Sequence, residues 1–144
     1  MSRKLNESDR MRIFILEDNH WRNHWFIENF KGHALTMSDN VQTALKWIIK
    51  NEFDILFLDH DLSDVHYEAA LNGQSITEGT GYEVAKVIPE TINKDKPVII
   101  HSMNPVGGKR MKLVIGNNAV QIPFGYFDKN ILQEIYFMLN IKEH

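Results

Sequence analysis

"FDILFLDHDLSD", residues 53–64, runs apolar and then ends abruptly in Asp59, His60 and Asp61. A short apolar segment of this kind is expected for a strand covered on both faces, which is the situation inside a parallel sheet flanked by helices. Polar residues gathered at its carboxyl end then fall where such sheets bind their ligands. The segments on either side decide whether that sheet exists.

Upstream, MRIFIL (11–16) reads as a first strand ending in Glu17 and Asp18, followed by a helix with Trp21, Trp25 and Ile27 to Phe30 on its apolar side. His33 to Met37 is a short second strand. Ser38, Asp39 or Asn40 then offers an N-cap, and Val41, Ala44, Leu45 and Ile48 recur at helical spacing. Phe53 to Leu58 is the third strand. The pattern lapses over 62–80, a loop longer than a compact domain normally uses as a plain connector, and its His66, Tyr67, Asn72 and Gln74 are placed to cover a bound nucleotide. There Gly73, Gly79 and Gly81 permit hinge motion. Helical spacing resumes in TGYEVAKVI (80–88), and Lys96 to Ile100 is a fourth strand ending in His101 and Ser102. A helix opens at Pro105 and closes on Gly116, Ala119 to Ile122 is a fifth strand, and Phe127 to Asn140 a last helix. Strict alternation of five strands and five helices predicts an α/β domain with a doubly wound parallel sheet, covering 11–144 behind a polar, disordered tail at 1–10.

Composition narrows the chemistry. The 144 residues suit a single domain, and the absence of cysteine removes disulfides, thiolate metal sites and cysteine nucleophiles. Lack of cysteine suits the cytoplasm. No apolar run approaches the roughly 20 residues of a membrane span. A net charge of −3 leaves no large basic field for duplex DNA. GGKRMK (107–112) supplies local positive charge enough for a small phosphate, although its plainest reading is a solvated helix face.

The strand ends therefore carry Glu17 and Asp18, then Asp59, His60 and Asp61, then His101 and Ser102. Two carboxylates about 4 Å apart repel by roughly 4 kcal/mol at an effective dielectric near 20, so a proton or a cation must neutralise them. Oxygen donors with room for water favour Mg²⁺ or Mn²⁺. The plainer alternative has Glu17 capping the next helix and Asp61 making a turn. Two further pairs lie on the first helix. His20 and His24 share a face but lack the intervening Glu of the helical zinc motif, which favours solvent exposure; Trp21 and Trp25 are read as core.

From residue 11 to 142 the chain resembles a receiver domain of bacterial two-component systems, in Glu17–Asp18, Asp59, Ser102 and the helix TGYEVAKVI. The resemblance implies a flavodoxin-like strand order 2-1-3-4-5, Mg²⁺ held by Glu17, Asp18 and Asp59, a phosphoryl group accepted by Asp59 and sensed by Ser102. It breaks at the fifth strand, where receivers carry a lysine before proline and this chain has Ile122 before Pro123. "LDHDL", "TGYEVA" and "HSMNPVG" are similar instead to the receiver-derived family described as cyclic-phosphate processing receiver-like domains. That likeness implies action on cyclic phosphates of nucleotides or RNA ends.

In chemical terms, a cation on Glu17, Asp18 and Asp59 would polarise a phosphate and activate water. His60 and His101 then supply acid and base near neutral pH, with Asp61 either orienting His60 or completing the metal shell. Ser102, Asn104 and the amides of Val106 to Gly108, Gly107 among them, would bind phosphate at a helix start, with Lys109 or Arg110 as counter-charge. The expected partner is a small nucleotide or RNA-end phosphate, with no duplex DNA, no membrane and a homodimer as one assembly option. Two rivals stay open. One is an atypical stand-alone receiver phosphorylated on Asp59, signalling through the helix after strand four. The other is a non-catalytic nucleotide- or metal-binding module.

Overall fold

The computed structural model describes residues 10–62 and 80–143. Five parallel strands, β1 (Arg12–Leu16), β2 (Ala34–Ser38), β3 (Ile55–Leu58), β4 (Val98–Ile100) and β5 (Ala119–Gln121), lie in the order β2-β1-β3-β4-β5. The described helices are α1 (His20–Asn29), α2 (Val41–Lys50), α3 (Gly81–Ala85), α4 (Pro105–Ile115) and α5 (Ile131–Glu143). The order and the doubly wound class are those expected from the alternation and the resemblance. Most of the 62–80 loop and of the 1–10 tail lies outside the described residues, and with them His66, Tyr67, Asn72, Gly73, Gln74 and Gly79.

Register matters more than order here. Ile15 pairs with Phe57 and Phe57 with Ile99, so the strands advance in step. Side chains alternate between faces along each strand. Ile13, Ile15, Ile55, Phe57 and Ile99 consequently pack under α1 and α5, against Phe26, Phe30, Ile131 and Ile135. Phe14, Leu16, Leu56, Leu58, Val98 and Ile100 pack under α2, α3 and α4 on the other face. Each large side chain sealed in these layers contributes about 1.5–3 kcal/mol. The parity carries one residue past the strand ends, where Glu17, Asp59 and His101 still bond to the neighbouring strand: their N–H groups donate to Ser38, Leu16 and Leu58 carbonyls at 2.9, 3.0 and 3.0 Å.

Local chemistry sets the element ends. Asn40 caps α2 by accepting from Thr43 N–H at 2.9 Å, which resolves the three-way choice among Ser38, Asp39 and Asn40. The helix expected over 80–88 stops at Ala85 and resumes as a 3₁₀ turn over Ile88–Glu90, because Pro89 lacks the N–H that an α-helix needs. The last helix starts at Ile131 rather than Phe127. Asp128 Oδ1 takes the Asn130 N–H at 2.8 Å, closing a turn that delays the helix.

On α1 the expected apolar side is corrected. Phe26 and Phe30 are the buried residues, whereas Trp21 is 79% exposed and Ile27 stands in solvent. Trp25 does pack, edge to face against Phe26, Phe30 and Phe124. Four-residue spacing aligns Phe26 and Phe30, and the same step backward reaches Arg22.

Candidate functional site

Parity brings three polar groups into one row beneath α1. Ligating atoms of Glu17, Asp59 and His101 all lie within 4.8 Å of one another, and all three residues are buried. Glu17 is held from two sides. Its Oε2 accepts the N–H groups of Asp18 and Asn19 at 3.0 Å each, and its Oε1 meets His101 Nε2 at 2.9 Å. Asp59 Oδ1 accepts the His60 N–H at 2.8 Å.

Arg22, which the sequence reading did not single out, supplies the positive charge. Its Nη1 lies 3.5 Å from Glu17 Oε1 and 3.6 Å from Asp59 Oδ2, and its guanidinium carbon stands 5.4 Å from the centre of the Phe124 ring. The signal was available: Arg22 precedes Phe26 by four, so it shares the inward stripe of α1 at the end nearest the strand tips.

Protonation follows from burial and neighbours. Burial raises Glu17, but its bond to His101 and the charge of Arg22 hold it below the ordinary carboxylate range. Burial, then the negative charge of Glu17, push Asp59 up from 3.8 to about 8. Burial lowers His101 despite the pull of Glu17. We assign an anionic Glu17, a protonated Asp59, a cationic Arg22 and a neutral His101 whose Nε2–H donates to Glu17. The buried row is then neutral overall. It leaves His101 Nδ1 as a lone pair with no hydrogen-bond partner among the described residues, inside rings of Phe26, Phe57, Phe124 and Phe127.

Even-numbered His60 goes to the other face. Its ring packs on α4, where a Cβ on Gly107 would stand 2.6 Å from His60 Cγ and Cδ2. His60 Nδ1 meets Asp61 Oδ1 at 2.7 Å, the orienting contact expected of Asp61. Gly81 closes the other side of this turn. Its N–H donates to the His60 carbonyl at 2.8 Å, and any Cβ there would collide with the Asp59 carbonyl oxygen. His101 is 0% exposed and its Nε2 is already bonded to Glu17, so it does not present a free nitrogen to a substrate beside His60. That is the physical correction to pairing them as acid and base.

The expected phosphate cradle is also partly committed. Asn104 caps α4, its Oδ1 accepting from Gly107 N–H at 3.0 Å and its carbonyl from Gly108 N–H at 2.9 Å. Of the three amides expected to bind phosphate, Val106 alone is not committed to Asn104. Ser102 Oγ accepts the Asn104 N–H at 3.0 Å, while Lys109 and Arg110 are exposed on α4. Asp18 is exposed, so in the buried row His101 stands where a third carboxylate was expected. His20 and His24 are exposed, as expected. Beside Glu17 a cleft of about 320 Å³ opens between the β1 and β2 tips, lined also by Asn23, Ser38, Asp39 and Thr43.

The donor set fits a divalent cation in its chemistry. Two carboxylates suit Mg²⁺ or Mn²⁺, and an imidazole beside them shifts preference toward Mn²⁺. Glu17 and Asp59 would hold such an ion through oxygen, with Asp59 giving up its proton. His101 would join through Nε2 only after moving its proton to the orphan Nδ1.

The family model described as the cyclic-phosphate processing receiver domain matches residues 11–117. No curated protein matches the chain significantly. Among solved structures, a CheY-like response regulator receiver domain from Methanospirillum hungatei JF-1 is similar with a TM-score of 0.69 and 16% identity, over 93% of this chain and 97% of that one. The receiver domain of a sensor histidine kinase from Pseudomonas aeruginosa PAO1, which has a magnesium ion coordinated in its active-site cleft, gives 0.65 and 20% over 88% and 93%. A response regulator from Thermotoga maritima, in complex with Mg²⁺ and BeF, gives 0.61 and 22% over 89% and 97%. These likenesses are of fold. No helix among the described residues is long and apolar enough to cross a membrane.

Proposed function

Because the chain belongs to the cyclic-phosphate processing receiver domain family, we propose that it hydrolyses cyclic phosphates of nucleotides or RNA ends with a divalent cation at its strand tips. The observation that carries this reading is the His60–Asp61 contact at 2.7 Å, immediately after Asp59 and packed on the α4 start. A domain that only accepts a phosphoryl group on Asp59 has no use for an oriented imidazole there.

Asp61 fixes the His60 tautomer by accepting from Nδ1–H, which leaves Nε2 as the base. His60 Nε2 takes a proton from water as the water oxygen bonds to phosphorus. The bond from phosphorus to one ribose oxygen breaks, and that oxygen takes a proton from solvent. Glu17 and Asp59 would hold Mg²⁺ or Mn²⁺, which when bound supplies polarisation of the phosphoryl oxygens. Ser102 and the Val106 amide at the α4 start, with Lys109 or Arg110, attract the phosphate. The cleft between β1 and β2 offers room for the nucleoside.

The test is product analysis with 2′,3′-cyclic nucleotides and a cyclic-phosphate-ended oligonucleotide, with Mn²⁺ or Mg²⁺ and with EDTA. Metal-dependent ring opening by the wild type, lost in His60→Ala and Asp59→Ala, is expected. A second reading rests on Asp59 itself, a carboxyl at the tip of β3 in a receiver fold. No turnover, with acetyl phosphate labelling Asp59 instead, would make the chain an atypical stand-alone receiver. Ligand binding with neither outcome would make it a nucleotide- or metal-binding module.

A further inference from the structure

Arg22 Nη1 lies 3.5 Å from Glu17 Oε1 and 3.6 Å from Asp59 Oδ2. Charge-assisted bonds of full strength run at about 2.7–2.9 Å, so these are loose contacts. The side chain is 27% exposed, and its guanidinium carbon stands 5.4 Å from the centre of the Phe124 ring. Nη1 also sits against the same two carboxylates a divalent ion would use. Even with Asp59 ionised, two cations that close repel strongly in a site with little water, so each weakens the other's hold until further negative charge arrives.

We propose that Arg22 is an exchangeable counter-cation. It leaves Glu17 and Asp59 when a divalent ion binds and takes the substrate phosphate instead, so that cation and phosphate bind cooperatively. The inference rests on the cation-assisted reading above and adds a substrate-binding residue to it. The guanidinium is suited to the second role because its planar fork matches phosphate oxygens in pairs. Its position on the first turn of α1, over the strand tips, makes the exchange a side-chain rotation with no backbone movement. Phosphate supplies the charge that lets both cations stay. By linkage, whatever factor phosphate adds to cation affinity the cation adds to phosphate affinity.

The measurement is Mn²⁺ binding by titration calorimetry and by paramagnetic resonance, with and without inorganic phosphate, against protein-free blanks. Wild type, Arg22→Gln and Arg22→Lys are compared, each shown to be folded by near-ultraviolet circular dichroism. In the wild type phosphate should tighten Mn²⁺ about tenfold. Arg22→Gln should bind Mn²⁺ about tenfold more tightly than wild type without phosphate, and lose most of the phosphate effect. Arg22→Lys, which keeps charge but not the fork, should bind Mn²⁺ as weakly as wild type and couple less. A folded Arg22→Gln protein that binds Mn²⁺ no more tightly than wild type would overturn the proposal, as would a wild type in which phosphate has no effect. Ring opening without coupling would sink the role of Arg22 and leave the hydrolase reading standing; coupling without ring opening would do the reverse.

Discussion

Replacing Asp59 by Asn should make the metal-free protein more stable, and increasingly so as pH rises. Asp59 is 3% exposed, and burial beside Glu17 pushes its carboxyl up to about 8. In the unfolded chain it returns to the ordinary value near 3.8. The folded state therefore keeps a proton that the unfolded state has released. This contribution is complete below pH 3.8, declines as pH rises, and is gone above about 8. Each pH unit inside that window is worth about 1.4 kcal/mol, so the ceiling between pH 5 and 8 is about 4 kcal/mol. Arg22 can close on the carboxylate as it ionises, which brings the expected value to about 2 kcal/mol. Asn has the same shape and keeps an Oδ1 for the His60 N–H, but it does not titrate. Urea unfolding of both proteins at pH 5, 6.5 and 8 in EDTA measures the difference directly. The variant's advantage should grow by about 2 kcal/mol across the series. Parallel stability curves, or a gap that narrows with pH, would refute the assigned protonation of the row.

Gly107→Ala puts a methyl group 2.6 Å from the His60 ring, so the imidazole must move off Asp61. We expect about 1–3 kcal/mol of destabilisation by thermal melting and, if His60 is the base, a kcat loss of at least about tenfold with KM little changed. Asn93 is fully buried, its Oδ1 accepting from Phe53 N–H and its Nδ2 donating to the Ile48 and Asn51 carbonyls, all at 2.8 Å. Asn93→Ala strands all three partners and should cost about 3–4 kcal/mol in urea unfolding; a loss under about 1 kcal/mol would mean water replaces them.

Much of this was legible in the sequence, and the parts that were not have identifiable reasons. The strands announced themselves because apolar runs such as RIFIL and ILFL have few alternatives, and Pro105 and Gly116 marked the limits of α4. Parity could have gone further. Counting alternate residues along β3 and β4 separates His60 from His101 and groups His101 with Glu17 and Asp59, given the in-step register. That register is a tertiary fact, and a slip of one residue would reverse the grouping. Asn93 was beyond reach, since in INKDK it looks like any polar turn residue and only the fold reveals three buried backbone partners. Trp21 misled because large aromatics are usually core, while its position on α1 points to solvent.

Ile122, which precedes Pro123 where the receiver resemblance implies a lysine, shows why a site must be read across elements. Ile122 follows β5 and donates its N–H to the Ile100 carbonyl, which sets it in the same row as His101. It packs there with Phe124, Phe127 and the rest of the α1/α5 layer. A lysine ammonium at that place would lie among the phenylalanines that enclose His101, and burying it would be expensive unless a carboxylate reached it. Glu17 is already engaged by His101 and by two backbone N–H groups. The positive charge instead comes from the opposite direction, from Arg22 on α1, which can keep part of its guanidinium in water. The aromatic enclosure around His101 and the cation on α1 are thus mutually consistent. The first disfavours a buried ammonium on strand five, and the second balances the charge of Glu17 without one.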